Sequence, residues 1–216
     1  MKRLTPLFAF VLSIAVSTAY ATALDTQKGA REKYERSLKQ VKDGDLNIDW
    51  REFRLAAEVA GVSGSFDWHP VRNAVMKQIQ SGDLEKALHG AQQIIDHNFA
   101  DPEGHLLAMM VYQKINKQDA AAKERAIMDQ IVHSILESGD GKAASTAFFT
   151  VNVSEEYFFI GVVMGASPKS QALVRENGHA FDKMTVTDRN GGDQDVWFNT
   201  DTDMQMMEDA LNGKSK

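Results

Sequence analysis

The sequence predicts an α+β protein, an N-terminal antiparallel array of helices followed by a mostly antiparallel β-sheet. Two observations carry this expectation. Through the first two thirds of the chain, apolar residues recur at i, i+3, i+4 and i+7, the stripe of an amphipathic helix. From Thr146 onward the texture changes to period 2, and two turn signals, Asn177-Gly178 and Asn190-Gly191-Gly192-Asp193, punctuate it as hairpins.

The helices follow in order. Ala30, Tyr34, Leu38 and Val41 make one stripe, ended at Asp43-Gly44-Asp45. Asp49 and Glu52 form a D-x-x-E capping box for a second helix, which Gly61 stops. A loop with two aromatics, Phe66 and Trp68, leads to Pro70 at a helix start. Val71, Val75 and Ile79 line that helix. Asp83 caps the next, with Leu84, Ala87, Leu88, Ala91, Ile94 and Ile95 on one face. Asp101-Pro102 opens another, and the last uses Met128, Ile131, Val132, Ile135 and Leu136 before Ser138-Gly139. The short loops predict antiparallel neighbours. Two of these helices start about 35 residues apart, near Leu84 and Ala120, so residues 70–137 resemble tetratricopeptide-like repeats.

In the sheet region, Ala147, Phe149, Val151 and Val153 alternate as a half-buried strand. The apolar run Tyr157–Met164 reads as a central strand. Gln171–Val174 pairs with Ala180–Val186, and Asp195–Asn199 follows. Residues 203–211 read as a short helix. The expected divisions are therefore residues 1–23, a leader; 24–44, a basic helix; 45–138, the helical array; 139–200, the sheet; and 201–216, a short helix and tail.

The leader is read from Lys2-Arg3, a short apolar run from Leu7 to Val16, and Ala19-Tyr20-Ala21-Thr22-Ala23. This is the order of a secretory signal peptide, with cleavage after Ala21 or Ala23. The apolar run is too short for a span, which needs about 20 residues. The expectation is a periplasmic or secreted bacterial protein with no stable membrane anchor after cleavage. The chain has no Cys, so it has no disulfide and no cysteine for lipid attachment. Removing Lys2 and Arg3 from the 24 basic residues leaves 22 against 30 acids, a net charge of −8. Nucleic-acid and anionic-membrane binders rest on positive charge, so neither class is expected. Residues 27–42 depart from this balance, but their interleaved Glu32 and Glu35 suit a solvated helix face.

No motif fixes a chemistry. Gly139-Asp140-Gly141-Lys142 lacks the spacing of a phosphate loop and follows a helix end. The six His show no zinc spacing, and the Asp-rich segment after Asp188 fits no EF-hand frame. No cofactor or metal is expected. The candidate polar or interaction site comprises Asp140, Lys142, Glu155, Glu156, Tyr157, His179 and Asp182. Glu155 and Glu156 are read between two strands, as structural ion-pair partners or as acid–base groups. Trp50, Phe66 and Trp68 are candidate aromatic anchors, with core burial as the alternative. The block Gly139–Tyr157 is expected to join helices to sheet.

Residues 135–161 (ILESGDGKAASTAFFTVNVSEEYFFIG), with Ser170–Leu173, Phe181–Met184 and Val196–Asn199, resemble the domain of unknown function 4919 family. Asp49–Ala56 is similar to its opening, so the resemblance spans about residues 45–200. It implies an exported helical-then-sheet domain and no catalytic residue or ligand. Two functions follow as expectations: a non-catalytic envelope module that binds an envelope protein, or a hydrolase-like periplasmic enzyme with its site between helices and sheet. The oligomeric state stays open.

Overall fold

A computed structural model describes residues 26–62, 64 and 69–211. The leader, the anchor candidates Phe66 and Trp68, and residues 212–216 lie outside the described residues. Among the described residues, eight α-helices, mostly N-terminal, accompany a four-stranded mixed sheet.

The helical layer holds α1 (26–42), α2 (Trp50–Val59), α3 (His69–Ser81), α4 (Leu84–His97), α5 (Pro102–Lys114) and α6 (Gln118–Leu136). The caps follow the sequence closely. Asp49 accepts from the Glu52 N–H, and Asp101 from the Glu103 N–H. Glu52 does not close its capping box but pairs with Lys33 at 2.5 Å. Asp83 makes no capping bond and takes Lys86 instead. Two-residue and slightly longer connections fold successive helices back on one another. Glycines let them approach: a Cβ on Gly90 would lie 2.5 Å from Val75, and one on Gly104 2.8 Å from Ile95. Tyr34, Trp50 and Phe53 form the aromatic centre of this layer. Trp50 is therefore core, with its indole N–H on the Leu46 carbonyl, and it is no surface anchor.

The sheet order is β1-β4-β3-β2, from β1 (Phe148–Phe149), β2 (Ser167–Glu176), β3 (His179–Thr187) and β4 (Asp193–Asn199). Both predicted hairpins are present as antiparallel pairs, whereas β1 lies parallel to β4. Asn177 and Gly178 both have positive φ, as a two-residue primed turn requires.

Two strand expectations fail here. The strand at 147–153 shrinks to Phe148–Phe149. The apolar run Tyr157–Met164 is no strand: α7 (Val153–Phe158) passes into a π-helical turn over Phe159–Met164. Asn152 starts it, accepting from the Glu155 N–H at 3.1 Å, and Gly165 ends it in the left-handed region. Asn152-x-x-Glu155 is a helix-start signal like Asp49-x-x-Glu52. It outranks the strand propensity of the run because burial here is supplied by packing against the sheet rather than within it.

The apolar residues form two cores. One belongs to α1–α6; the other joins Ile135, Phe148, Phe159 and Ile160 to Met184, Val186, Val196 and Phe198 on one sheet face. Helix α6 spans both, with Ile127 and Ile131 in the first and Ile135 in the second. Between α6 and β1, residues 139–147 form a loop tied down by its backbone. Asp140 and Gly141 N–H groups bond the Thr146 carbonyl, and Trp197 N–H bonds the Gly141 carbonyl at 2.8 Å. Gly141 has φ +67° and its absent Cβ would sit 2.4 Å from the Phe148 ring. Gly141→Ala combines backbone strain with that clash, and its expected cost is roughly 2–3 kcal/mol in urea unfolding.

Candidate functional site

The chemistry-bearing residues gather along the seam between the two cores. Arg54 occupies the buried stripe of α2 beside Phe53 and Ala57. A cation there needs partners, and it finds them across the seam. Its Nη1 meets Glu155 Oε2 at 2.5 Å, and its Nε donates to Ser134 Oγ at 3.0 Å. Glu155 also accepts from the Val151 N–H at 2.9 Å. Burial pushes the Glu155 carboxyl up from its ordinary value, while Arg54 and the Val151 N–H pull it back. Beside this pair is a cavity of about 20 Å³ lined by Asn98, Asp101, Asn152 and Ser154 among others, room for about one water. Burial raises the Asp101 carboxyl to about 7, against the bond from the Glu103 N–H.

Glu156 lies on the opposite side of α7, fully buried. Its Oε1 receives only a long bond of 3.4 Å from Thr150 Oγ1, and its Oε2 meets no donor. It faces the Asp182 carboxylate, which it can bond only by carrying a proton itself. Burial, then Asp182 and Asp203, raise its pKa to about 9. Asp182 in turn accepts from Gln171 Nε2 at 2.5 Å, and Gln171 accepts from the Tyr157 hydroxyl at 3.2 Å. Asp203, on helix α8 (Asp201–Leu211), has its own carboxyl raised by burial and then by Asp182.

A third grouping lines a cleft of about 310 Å³ between helices and sheet, formed by Arg51, Ser145, Phe149, Glu176, His179 and Phe181 among others. Arg51 lies over the Phe149 ring at 4.1 Å and makes no ion pair among the described residues. His179 Nδ1 meets Asp201 Oδ2 at 2.6 Å, and its Nε2 makes no hydrogen bond among the described residues. Burial pushes Asp201 up, yet bonds from the Ala180 N–H, His179 and Asn199 outweigh it and leave the carboxyl below its ordinary value. A wider cleft of about 530 Å³, lined by His69, Arg72, Tyr157 and Val162 among others, opens on the other side of the seam. Its Arg72 pairs with Glu103 at 2.7 Å.

The structure thus divides the expected site. Glu156, Tyr157 and Asp182 come together. Glu155 turns away to Arg54, on a helix rather than between strands. His179 joins Asp201 instead of Asp182. Asp140 and Lys142 stand apart in the exposed loop, paired with each other at 3.1 Å. Asp140 is held at about 2 by the Thr146 hydroxyl and the Lys142 N–H. Sequence reasoning missed Arg54, Gln171, Arg51 and Asp201. Of these only Arg54 left a signal, a charge inside an apolar helical stripe.

Residues 68–209 match the model of a domain of unknown function, DUF4919, and the chain belongs to that family. The match begins after α2, so the Asp49–Ala56 block lies outside it. No curated protein and no solved structure matches the chain.

Two outcomes follow. Arg54→Met strands Glu155 as a buried unpaired charge, so urea unfolding should show a loss of about 3–5 kcal/mol; adding Glu155→Gln should recover much of it. Glu156 is protonated when folded and ionised when unfolded between about pH 4.5 and 9. Its contribution is therefore fully present below about pH 4.5 and is lost as pH rises toward 9. Glu156→Gln keeps a donor for Asp182 without needing the proton. Its Tm should exceed the native value by roughly 5 °C at pH 8 and match it at pH 4.5.

Proposed function

We propose that this chain is an exported, non-catalytic binding module of the bacterial envelope. It holds a polar segment of an envelope protein in the cleft between the helical layer and the sheet. The observation that supports this is how the ionisable groups are used. Glu155 is spent on Arg54, Glu156 is sealed against Asp182, and Asp140 and Lys142 neutralise each other at the surface. What faces the cleft is a recognition set. Arg51 lies flat on an aromatic ring, His179 is steadied by Asp201, and Phe149 and Phe181 give an apolar lining. Polar side chains, among them Arg51, Ser138, Ser145, Glu176 and Asn199, outnumber the apolar ones in this lining, which suits a polar segment as its occupant. The leader sequence supports export to the periplasm.

One observation favours a hydrolase-like enzyme as the second reading. An Asp that fixes His Nδ1 leaves Nε2 as a base, and the His179–Asp201 contact has that form. A nucleophile bonded to Nε2 is what that reading lacks among the described residues. Ser138, in the same cleft, donates to the Ile135 carbonyl and accepts from the Phe149 N–H.

The test uses the full-length gene. The product should be recovered from the periplasm with its N-terminus at Thr22 or Leu24 by mass spectrometry. A partner crosslinked to the native protein in the envelope should be lost at least tenfold in Arg51→Ala. Ester, phosphoester and peptide substrates should show no turnover above that of His179→Ala. Cytoplasmic retention would remove the envelope assignment, and His179-dependent turnover would establish the enzyme instead.

A further inference from the structure

The last strand of the sheet, β2, has one neighbour. It pairs with β3 and ends the sheet order, and nearly all of its ten residues are exposed. A free edge carries unpaired N–H and C=O groups that template another strand. Edges are normally blunted, and this one is blunted at its start only. Pro168, Lys169 and the register break between Pro168 and Ser170 protect residues 167–170. From Gln171 to Glu176 the pairing is regular, with no proline and no bulge, and the charges fall only at its last two residues.

The turn fixes which groups point outward. Glu176 and His179 close the two-residue turn as a mutually bonded pair. Alternation then turns the backbone of Ala172, Val174 and Glu176 toward β3, and that of Gln171, Leu173 and Arg175 away from the sheet. Apolar surface collects at the same edge. Among the described residues six large apolar side chains are exposed, and two of them, Leu173 and Tyr157, stand at this strand. Leu173 is the most exposed, at 53%. Tyr157 bonds Gln171, Val162 and Val163 lie in the π-helical turn just before β2, and Met207 precedes Glu208, which reaches Arg175. Apolar surface gathered at a strand edge marks an association surface.

We propose that this edge is a homodimer interface, in which two copies pair antiparallel through Gln171–Arg175 about a two-fold axis at Leu173. The strand is complementary to itself in that register. Leu173 meets the partner's Leu173, Gln171 meets the partner's Arg175, and no like charges stand opposite. Moving the axis to Ala172 would set Lys169 against the partner's Arg175, a repulsive pair. Moving it to Val174 would run the pairing into the Asn177 turn. The two sheets become one continuous sheet, and the Tyr157, Val162 and Leu173 surface is covered from both sides by an isologous contact.

The absence of Cys makes the register directly testable. Opposed residues of a bonded antiparallel pair have Cα atoms about 5.5 Å apart, within disulfide reach. In the product of the full-length gene, Leu173→Cys should form a disulfide-linked dimer under mild oxidant. Gln171→Cys should not, because its counterpart lies about 13 Å along the strand. The native protein should sediment at twice the chain mass, and Leu173→Lys at the single mass with its Tm unchanged. A single-chain mass at every concentration would overturn the proposal and leave the edge to a different partner. So would a dimer that survives Leu173→Lys, or equal crosslinking at positions 171 and 173.

Discussion

Arg54 and Glu155 lie about a hundred residues apart in the chain and meet where two apolar cores would otherwise part. Neither core covers the other. One closes around Tyr34, Trp50 and Phe53, the other around Phe148, Phe159 and Phe198. The second is knit by rings from β1, the π-helical turn and β4, with centroids 4.7 to 6.0 Å apart. Helix α6 runs through both and gives them a common spine. The ion pair sets their relative position, because both of its members are buried and each forms no other ion pair among the described residues. Breaking such a pair costs far more than its formation contributes. That asymmetry makes it a positional constraint, able to specify one arrangement of helices on sheet.

The same seam shows why some of the fold was legible in the sequence and some was not. Helices α2 to α6 announce themselves through local rules: apolar spacing, Asp49 and Asp101 before their helices, Gly61 and Gly82 after them. The hairpins are equally local, since Asn177-Gly178 demands positive φ whatever surrounds it. Tyr157–Met164 was illegible by composition because an apolar run suits a central strand and a buried helix alike. The deciding residue was Asn152, five positions upstream. The site was harder still. Glu156, Tyr157 and Asp182 were visible as ionisable residues in the right region, but what joins them is Gln171, a residue with no signature. The contact of Arg51 with Phe149 and that of His179 with Asp201 bridge nearly a hundred residues and twenty-two residues respectively. No periodicity reports such a meeting.

Burial sorts the polar residues into two kinds. Inside the seam the two buried glutamates each face one charged or ionisable neighbour, and the two cases differ in charge logic. Arg54 and Glu155 neutralise as an ion pair. Glu156 faces Asp182 with no cation reaching either among the described residues, and burial and that neighbour raise its carboxyl to about 9. Two neighbouring glutamates on one helical turn thus meet opposite surroundings: Glu155 looks toward the helices and their arginine, Glu156 toward the sheet and its aspartate. At the rim of the seam the pairing stops. Arg51 and His179 keep free N–H or nitrogen edges in an open cleft. The proposed recognition rests on those rim groups because the interior ones cannot contact a ligand without abandoning the counterpart that makes their burial tolerable.

The family match sharpens this division. It covers Glu155, Glu156, Asp182, His179 and the free edge of β2, but it begins at residue 68, beyond Arg54 and Arg51. The matched region therefore contains a buried acid whose cation is contributed from outside it. The cleft, likewise, has its sheet-side wall inside the match and its arginine outside. Helices α1 and α2 are thus no appendage to the matched domain. Tyr34 accepts from the Phe99 N–H at 3.1 Å, and Arg31 reaches the Ala60 carbonyl. These contacts fasten α1 to α2 and to the α4–α5 junction. They hold α2 at the angle that brings Arg54 to Glu155 and lays Arg51 on Phe149. Three residues apart on one helix, the two arginines face the same strand end. The inner one is fixed by charge, and the outer one is thereby aimed into the cleft.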